Sequence, residues 1–159
     1  MIERKVKTIL KLKKIVNTLR SRGKRIVFTN GCFDILHYGH VKYLEEAKKK
    51  GDILIVAINS DSSVRKIKGK KRPIIPEKER MRVVSALESV DYVTSFNQPT
   101  PVKLIKLLRP DVLVKGSDWK TENIVGRDFV ESYRGKVKTV PYVGRLSSSD
   151  LIKKIAKEF

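Results

Sequence analysis

Cysteine is nearly absent from this chain: Cys32 is the only one in 159 residues. A lone thiol excludes an internal disulfide and a cysteine-based metal centre. Long apolar runs are missing too. No stretch approaches the ~20 consecutive apolar residues needed to cross a bilayer, so no membrane partner is expected. The first residues, Met1 to Lys14, are basic but lack the apolar core and small-residue cleavage site of a secretory signal. A cytoplasmic location is the expectation. Gln98 is the only glutamine, and such an amide-poor, Lys-rich composition resembles that of thermophile proteins.

What is abundant is positive charge. Lys and Arg number 36 against 17 Asp and Glu, a formal net charge of +19. Such an excess fits a nucleic-acid surface, a Lys-rich solvated face, or attraction of an anionic substrate. The lysines are scattered over almost every segment, which favours the solvated face, and nucleic acid is not the expected partner.

The length fits one domain, and the hydrophobic fraction of 40% is ordinary for a globular protein. Residues 5–21 place Val6, Ile9, Leu10, Leu12, Ile15, Val16 and Leu19 at helical spacing, with Gly23 just past the end. Residues 25–30 read as a short buried strand. Residues 38–50 read as a helix stopped by Gly51, and 53–59 as a second strand. Residues 60–76 read as a long basic loop, and loops of that length are often functional. A helix over 77–89 has Met81, Val84 and Leu87 on its core side. Strands follow at 92–96, 111–114 and 136–141, separated by helices over 101–108 and 125–133, and a last helix covers 148–157.

This alternation predicts βαβ crossovers. The expected fold is a Rossmann-like, doubly wound α/β domain: a mainly parallel five-stranded sheet with helices on both faces. One domain over 1–159 is expected, with an N-terminal helix in 1–23 and a core in 24–159.

Ligands of such sheets bind beyond the carboxyl ends of the strands, where strand order reverses. Two strand ends carry unusual residues, Thr29–His40 (TNGCFDILHYGH) and Val114–Trp119 (VKGSDW). His37 and His40, the only histidines, lie three apart at the start of a helix and face the same way. Gly39 between them permits close approach to the backbone, and a helix N-terminus suits a phosphate. Two capping histidines on the surface, or a metal shared at this spacing, are other readings of the same residues. A single Cys and the lack of a carboxylate cluster apart from Asp34 weaken the metal reading.

HYGH resembles the HxGH motif of the cytidylyltransferase-like nucleotidyltransferase superfamily. It sits in GCFDILHYGH at the first βα unit, and LSSSDLIKKI resembles that superfamily's Ser/Thr-rich turn opening the last helix. RPIIPEKER resembles the stretch before its third helix. The likeness runs from about Lys24 to Ile155. Within the superfamily, FTNGCFDILHYGHVKYLEEAKKKGD, ALESVDYVTSF and PDVLVKGSDW resemble the heptose adenylyltransferase branch most. Many members of that branch are fused to a sugar kinase, which these 159 residues lack, so a stand-alone transferase is implied.

The resemblance implies roles residue by residue. His37, His40 and Lys68 would stabilise charge on the triphosphate, Lys68 having Lys66, Lys70 and Lys71 as rivals in the same loop. Cys32, Phe33 and Gly39 would pass close to the nucleotide, and Asp34 would lie near the acceptor phosphate ester or the metal. Lys115, Gly116 and Asp118 would line the base and ribose end, with Trp119 packing nearby. Arg80 would hold phosphate or form a structural ion pair. Ser147, Ser148 and Ser149 would hold the β- and γ-phosphates. No metal ligands are expected from the protein, and Mg2+ would arrive with ATP. The cytidylyl branch carries an arginine earlier than Arg145 and a basic residue where this chain has Glu88. Both departures point to the adenylyl branch. The implied reaction transfers AMP from ATP to a sugar 1-phosphate, heptose 1-phosphate by resemblance, with pyrophosphate released. Transfer of a cytidylyl group to glycerol phosphate and a basic nucleic-acid-binding module are the alternatives. A homodimer is implied, because relatives are often dimers.

Overall fold

The central strands are apolar runs whose alternate residues enter two different cores. In this computed structural model, which describes residues 2–141, 143–144 and 147–158, β1 (Ile26–Gly31) sends Val27 to one face and Ile26 and Phe28 to the other. In β2 (Ile53–Asn59), Leu54, Val56 and Ile58 go to the first face, Ile55 and Ala57 to the second. A strand buried on both faces has no polar side to show, so its sequence is continuously apolar. Fully burying each such Val, Leu or Ile contributes roughly 1.5–3 kcal/mol.

The remaining strands are β3 (Tyr92–Phe96), β4 (Val112–Gly116) and β5 (Lys136–Val140). All pairs are parallel, in the order β3-β2-β1-β4-β5. Helices α3 (Tyr38–Lys48) and α5 (Glu77–Ser85) cover the first face through Tyr43, Leu44, Ala47, Met81 and Val84. Helices α2 (Ile9–Ser21), α6 (Val102–Leu108) and α7 (Arg127–Ser132) cover the second through Leu12, Val16, Leu104, Ile105, Leu108 and Val130. The fold class is the one read from the sequence. None of the described helices is long and apolar enough to cross a membrane.

Chain order reverses beside β1: successive strands run outward through β2 to β3, then the chain returns to place β4 on β1's other side. The two flanks of β1 differ. Six residues, Ile26 to Gly31, register against β2, whereas only Val27 and Phe28 register against β4. The strands splay after Phe28, and the crevice that opens is where a ligand fits.

Several boundaries differ from the sequence reading. The helix expected over 5–21 is two: α1 (Ile2–Lys5) and α2. Val6 bridges to Val93 at the sheet edge, the Lys7 N–H donates to the Val93 carbonyl, and Thr8 then caps α2. The loop expected over 60–76 begins with a helix, α4 (Asp61–Lys68), capped by the Ser60 hydroxyl accepting from Ser63 N–H and anchored by buried Val64. The helix expected over 77–89 stops at Ser85, and that over 125–133 covers Arg127–Ser132 after a 3-10 turn at Thr121–Asn123. The last helix, α8, spans Ser148–Glu158. Arg145 lies outside the described residues.

Candidate active site at the strand switch point

The crevice between β1 and β4 is floored by a hydroxyl. Tyr43, on α3, reaches into the gap: its Oη lies 2.7 Å from Thr29 Oγ1 and donates to the Val114 carbonyl at 3.2 Å. It thereby bridges the two strands where their backbones no longer pair. Burial pushes the Tyr43 phenol well above its ordinary value, so it stays a neutral donor. Above it, Lys115 Nζ crosses the same gap to Asn30 Oδ1 at 2.5 Å. Burial lowers the Lys115 ammonium to about 8, against the raising effect of Asp118.

A cavity of about 240 Å³ opens over this floor. It is lined by Cys32, Phe33, Asp34, His40, Lys68, Lys115, Gly116, Asp118 and Ser148 among the sequence candidates, and by Asn30, Gly31, Tyr43 and Trp119. Residues from β1, α3, α4, β4 and α8 thus meet at one place, although up to 118 positions separate them in the chain. The β1 end turns sharply. Phe33 sits at φ 47, and its ring folds back so that a Cβ on Gly31 would stand 2.9 Å from it. Glycine is therefore required at 31 for the ring to cover the strand end.

His37 is the N-cap of α3, in extended backbone at φ −142. Its ring packs on His40 at a tilt of 37° with centroids 3.9 Å apart, and Phe33 packs against His40 at 5.2 Å. Burial, helped by His37 and Lys68, lowers the His40 imidazole to about 4. At neutral pH His40 is an uncharged ring that can still donate one N–H. Its Nδ1 is buried with no partner. His37 is lowered too, by burial, and does not itself line the cavity. Gly39 is also behind the wall: what approaches its Cα is the Val143 carbonyl, 2.8 Å from where a Cβ would be. The close approach expected there is by the segment leading to α8.

That segment brings the last helix to the first crossover. Ser148 Oγ donates to the Ile35 carbonyl at 2.8 Å, and Ser148 lines the cavity with His40. Ser147 caps α8 reciprocally: its Oγ donates to Asp150 Oδ2 at 2.6 Å and accepts from Asp150 N–H at 3.1 Å. Ser149 Oγ accepts from Arg72 Nη1 at 3.4 Å. All three hydroxyls are engaged within the protein. What α8 offers a ligand is the positive end of its backbone dipole.

Two other candidates have structural tasks. Arg80 is the largest fully buried side chain, with 1% exposure. Its guanidinium donates to the carbonyls of Ile75 (2.9 Å), Cys32 (2.5 Å) and Asn59 (2.9 Å) and to Asp61 Oδ1 (2.8 Å). It binds the ends of β1 and β2 to the loop before α5 and does not face the cavity, so of the two roles considered for Arg80, the structural ion pair is the one observed. Asp34 lines the cavity, yet its oxygens accept from the Ile74 and Ile75 N–H groups and Arg72 Nε. Burial raises the Asp34 carboxyl, but these donors together outweigh it and hold it below the usual range. Cys32 is half-buried; burial pushes its thiol up while Lys68, Arg80 and Arg72 pull it down.

Sequence reasoning missed Tyr43, Asn30 and Arg72. Tyr43 had a visible signal: a tyrosine on the face of α3 that packs against the strands, where only apolar side chains are otherwise needed.

A parallel sheet with a cationic, imidazole-lined crevice at its switch point defines a nucleotide-binding protein of the doubly wound α/β class. Comparison with known proteins narrows this. The family model described as cytidylyltransferase-like matches residues 28–156. The chain resembles the bifunctional protein HldE of Geobacter metallireducens, 50% identical over 155 residues, and that of Trichlorobacter lovleyi, 48% identical over 155. In each case the match covers 98% of this chain and 32% of the relative, so the chain spans about a third of these curated relatives' length. Among solved structures it resembles the lipopolysaccharide core biosynthesis protein from Thermoplasma volcanium, 33% identical with a TM-score of 0.65, over 78% of this chain and 100% of that one. A pantoate-beta-alanine ligase from Francisella tularensis, 15% identical at a TM-score of 0.58, shares the fold. The chain belongs to the cytidylyltransferase-like family.

Proposed function

We propose that the chain transfers AMP from ATP to a sugar 1-phosphate, heptose 1-phosphate, forming ADP-heptose and pyrophosphate. The observation that carries this reading is the meeting of two helix mouths on one cavity: His40 of α3 and Ser148 of α8, with Lys68 and Lys115 beside them. Likeness to HldE and to a lipopolysaccharide core biosynthesis protein supports the sugar acceptor.

In the proposed reaction an acceptor phosphate oxygen attacks the α-phosphorus of ATP in line. The new P–O bond forms as the α–β bridging bond breaks and its electrons leave with pyrophosphate. The acceptor is already ionised at neutral pH, so no strong general base is required, and catalysis reduces to positioning and charge stabilisation. Neutral His40 donates an N–H to a phosphoryl oxygen, and His37 holds the His40 ring by packing against it. Lys68 and Lys115 offset the charge that gathers on the leaving group. Lys115 also crosses to Asn30, fixing the crevice at the nucleoside end near Gly116, Asp118 and Trp119. Asp34 serves by holding the 72–75 loop rather than by taking the acceptor.

Among the described residues no trio of His, Cys, Asp and Glu converges as a metal site. Among the described residues Asp118 is the cavity carboxylate that makes no hydrogen bond within the protein, so it is the side chain that would help to hold Mg2+ arriving with ATP. When bound there it supplies charge neutralisation. Relatives by resemblance are often dimers, and a homodimer is proposed here. The test is pyrophosphate release with ATP or CTP against heptose 1-phosphate and glycerol 3-phosphate, with the product weighed by mass spectrometry. ATP with heptose 1-phosphate is expected to give ADP-heptose. Turnover with CTP and glycerol 3-phosphate alone would overturn the proposal in favour of the cytidylyl reaction.

A further inference from the structure

Among the described residues two buried side-chain polar atoms have no hydrogen-bond partner: His40 Nδ1, in the cavity, and Arg72 Nη2, just behind it. Native structures rarely leave such atoms orphaned, and each one asks for a reason. Arg72 has 11% of its side chain exposed and stands where three separate elements meet. Its Nε donates to Asp34 Oδ2 at 2.6 Å, on the turn between β1 and α3. Its Nη1 reaches Ser149 Oγ at 3.4 Å, in the first turn of α8. Its own backbone is the loop after α4, the helix that ends in Lys68. Asp34 grips the same loop a second time through Ile74 and Ile75 N–H.

We propose that Arg72 is a positioning residue for nucleotidyl transfer: it pins the loop that follows Lys68 to the mouth of α8, so that Lys68 and that mouth reach one polyphosphate. The inference rests on the transferase reading above. A guanidinium suits this task because its planar fork can bond in several directions at once. The fork is incomplete without ligand. The Ser149 bond is long and Nη2 is idle, so the pin is under-satisfied. A small inward movement of α8 toward a bound anion shortens the first, and the closed pin then holds Lys68 and the α8 mouth together. Ligand binding and closure of the pin are then linked, and each favours the other. Arg72 does not line the cavity, so it acts through Lys68 and α8, not on the reacting atoms.

The test is equilibrium binding of MgATP, together with kcat and KM, for the wild-type chain, Arg72→Ala, Arg72→Lys and Ser149→Ala, with melting temperatures measured alongside. Arg72→Ala is expected to weaken ATP binding at least tenfold and to raise KM for ATP more than it lowers kcat. Arg72→Lys is expected to fail to rescue, because an ammonium cannot span Asp34 and Ser149. Ser149→Ala, which leaves Arg72 and Asp34 paired, is expected to weaken ATP binding severalfold with an unchanged melting temperature, and it serves if Arg72→Ala does not fold. ATP protection of the 66–75 segment from proteolysis is expected in wild type and lost in both Arg72 variants. Arg72→Ala with ATP affinity within twofold of wild type would overturn the proposal, as would full rescue by lysine. Wild-type protein binding neither ATP nor CTP would sink the transferase reading instead, whereas normal wild-type turnover with an indifferent Arg72 sinks only the pin.

Discussion

The two ends of the sheet handle polar groups in opposite ways. Where the strands begin, aspartates accept the backbone N–H groups that no helix or ladder serves. Asp111 takes Ile26 N–H at 2.7 Å, Asp91 takes Leu54 N–H at 2.6 Å, and Asp52 takes Arg25 N–H at 2.7 Å. Where the strands end, cations converge, Phe33 is held at positive φ, and the two orphaned atoms, His40 Nδ1 and Arg72 Nη2, are both found. One end is satisfied as it stands. The other leaves two buried polar atoms unmet beside its cations, as sites built for a ligand do.

The largest effect that sharpens this contrast is on turnover. His40→Ala should lower pyrophosphate release by ~10²–10³-fold, the usual consequence of removing a charge-stabilising donor. Its melting temperature should fall only modestly, because the ring loses its packing on His37 and Phe33 but no hydrogen bond through Nδ1. A variant that melts early yet turns over normally would place His40 among the structural residues.

Arg80 breaks the contrast from the other side, since it lies at the functional end yet all its bonds are made. Arg80→Met takes the guanidinium donor from three carbonyls and leaves Asp61 with the Glu77 N–H but no cation, so urea denaturation should show a loss of about 3–5 kcal/mol. An unchanged midpoint would mean that Arg80 is not the clamp between β1 and β2.

Much of this was legible in the chain. The parallel, doubly wound class follows from apolar runs alternating with helical periods, and HYGH and LSSSD mark the two helix mouths, whereas the order of the strands in the sheet is read only from the structure. The α4 helix was hidden because Arg65, Lys66 and Lys68 read as a solvated run, while its evidence was a capping Ser60 and a single buried Val64. Tyr43, Arg72 and Arg80 were not legible in their roles. Each acts through contacts 14 to 77 positions distant in the chain, which no local period encodes. Arg80 could be either phosphate ligand or internal pair on sequence grounds, and its burial decides.

A smaller effect comes from pH. Lys115 is held at about 8 in the folded site, below its ordinary value, chiefly by burial. The ammonium that attracts a phosphate is present below that value and is lost as pH rises through it. ATP affinity should therefore decline from about pH 8 upward, and Lys115→Met should bind more weakly and lose that inflection. A flat affinity profile in the wild type up to pH 10 would remove Lys115 from the anion site. His40 acts on stability instead. Its imidazole is lowered from 6.5 to about 4, so folding stability attributable to it is full above about 6.5 and declines as pH falls toward 4.

The smallest effect belongs to the satisfied end. Asp111→Ala strands the Ile26 N–H at the start of the central strand and should cost about 1–3 kcal/mol in stability. KM for ATP should not move. A change in KM without loss of stability would show that the two ends are not separable.

The central claim is that two helix mouths hold one polyphosphate, and amide hydrogen exchange reads it directly. With saturating MgATP at one nucleotide per chain, slower exchange is expected at both 37–41 and 147–151, and the strand starts near Ile26 and Leu54 should be unchanged. Slowing at only one of the two mouths, or at neither, would contradict the account.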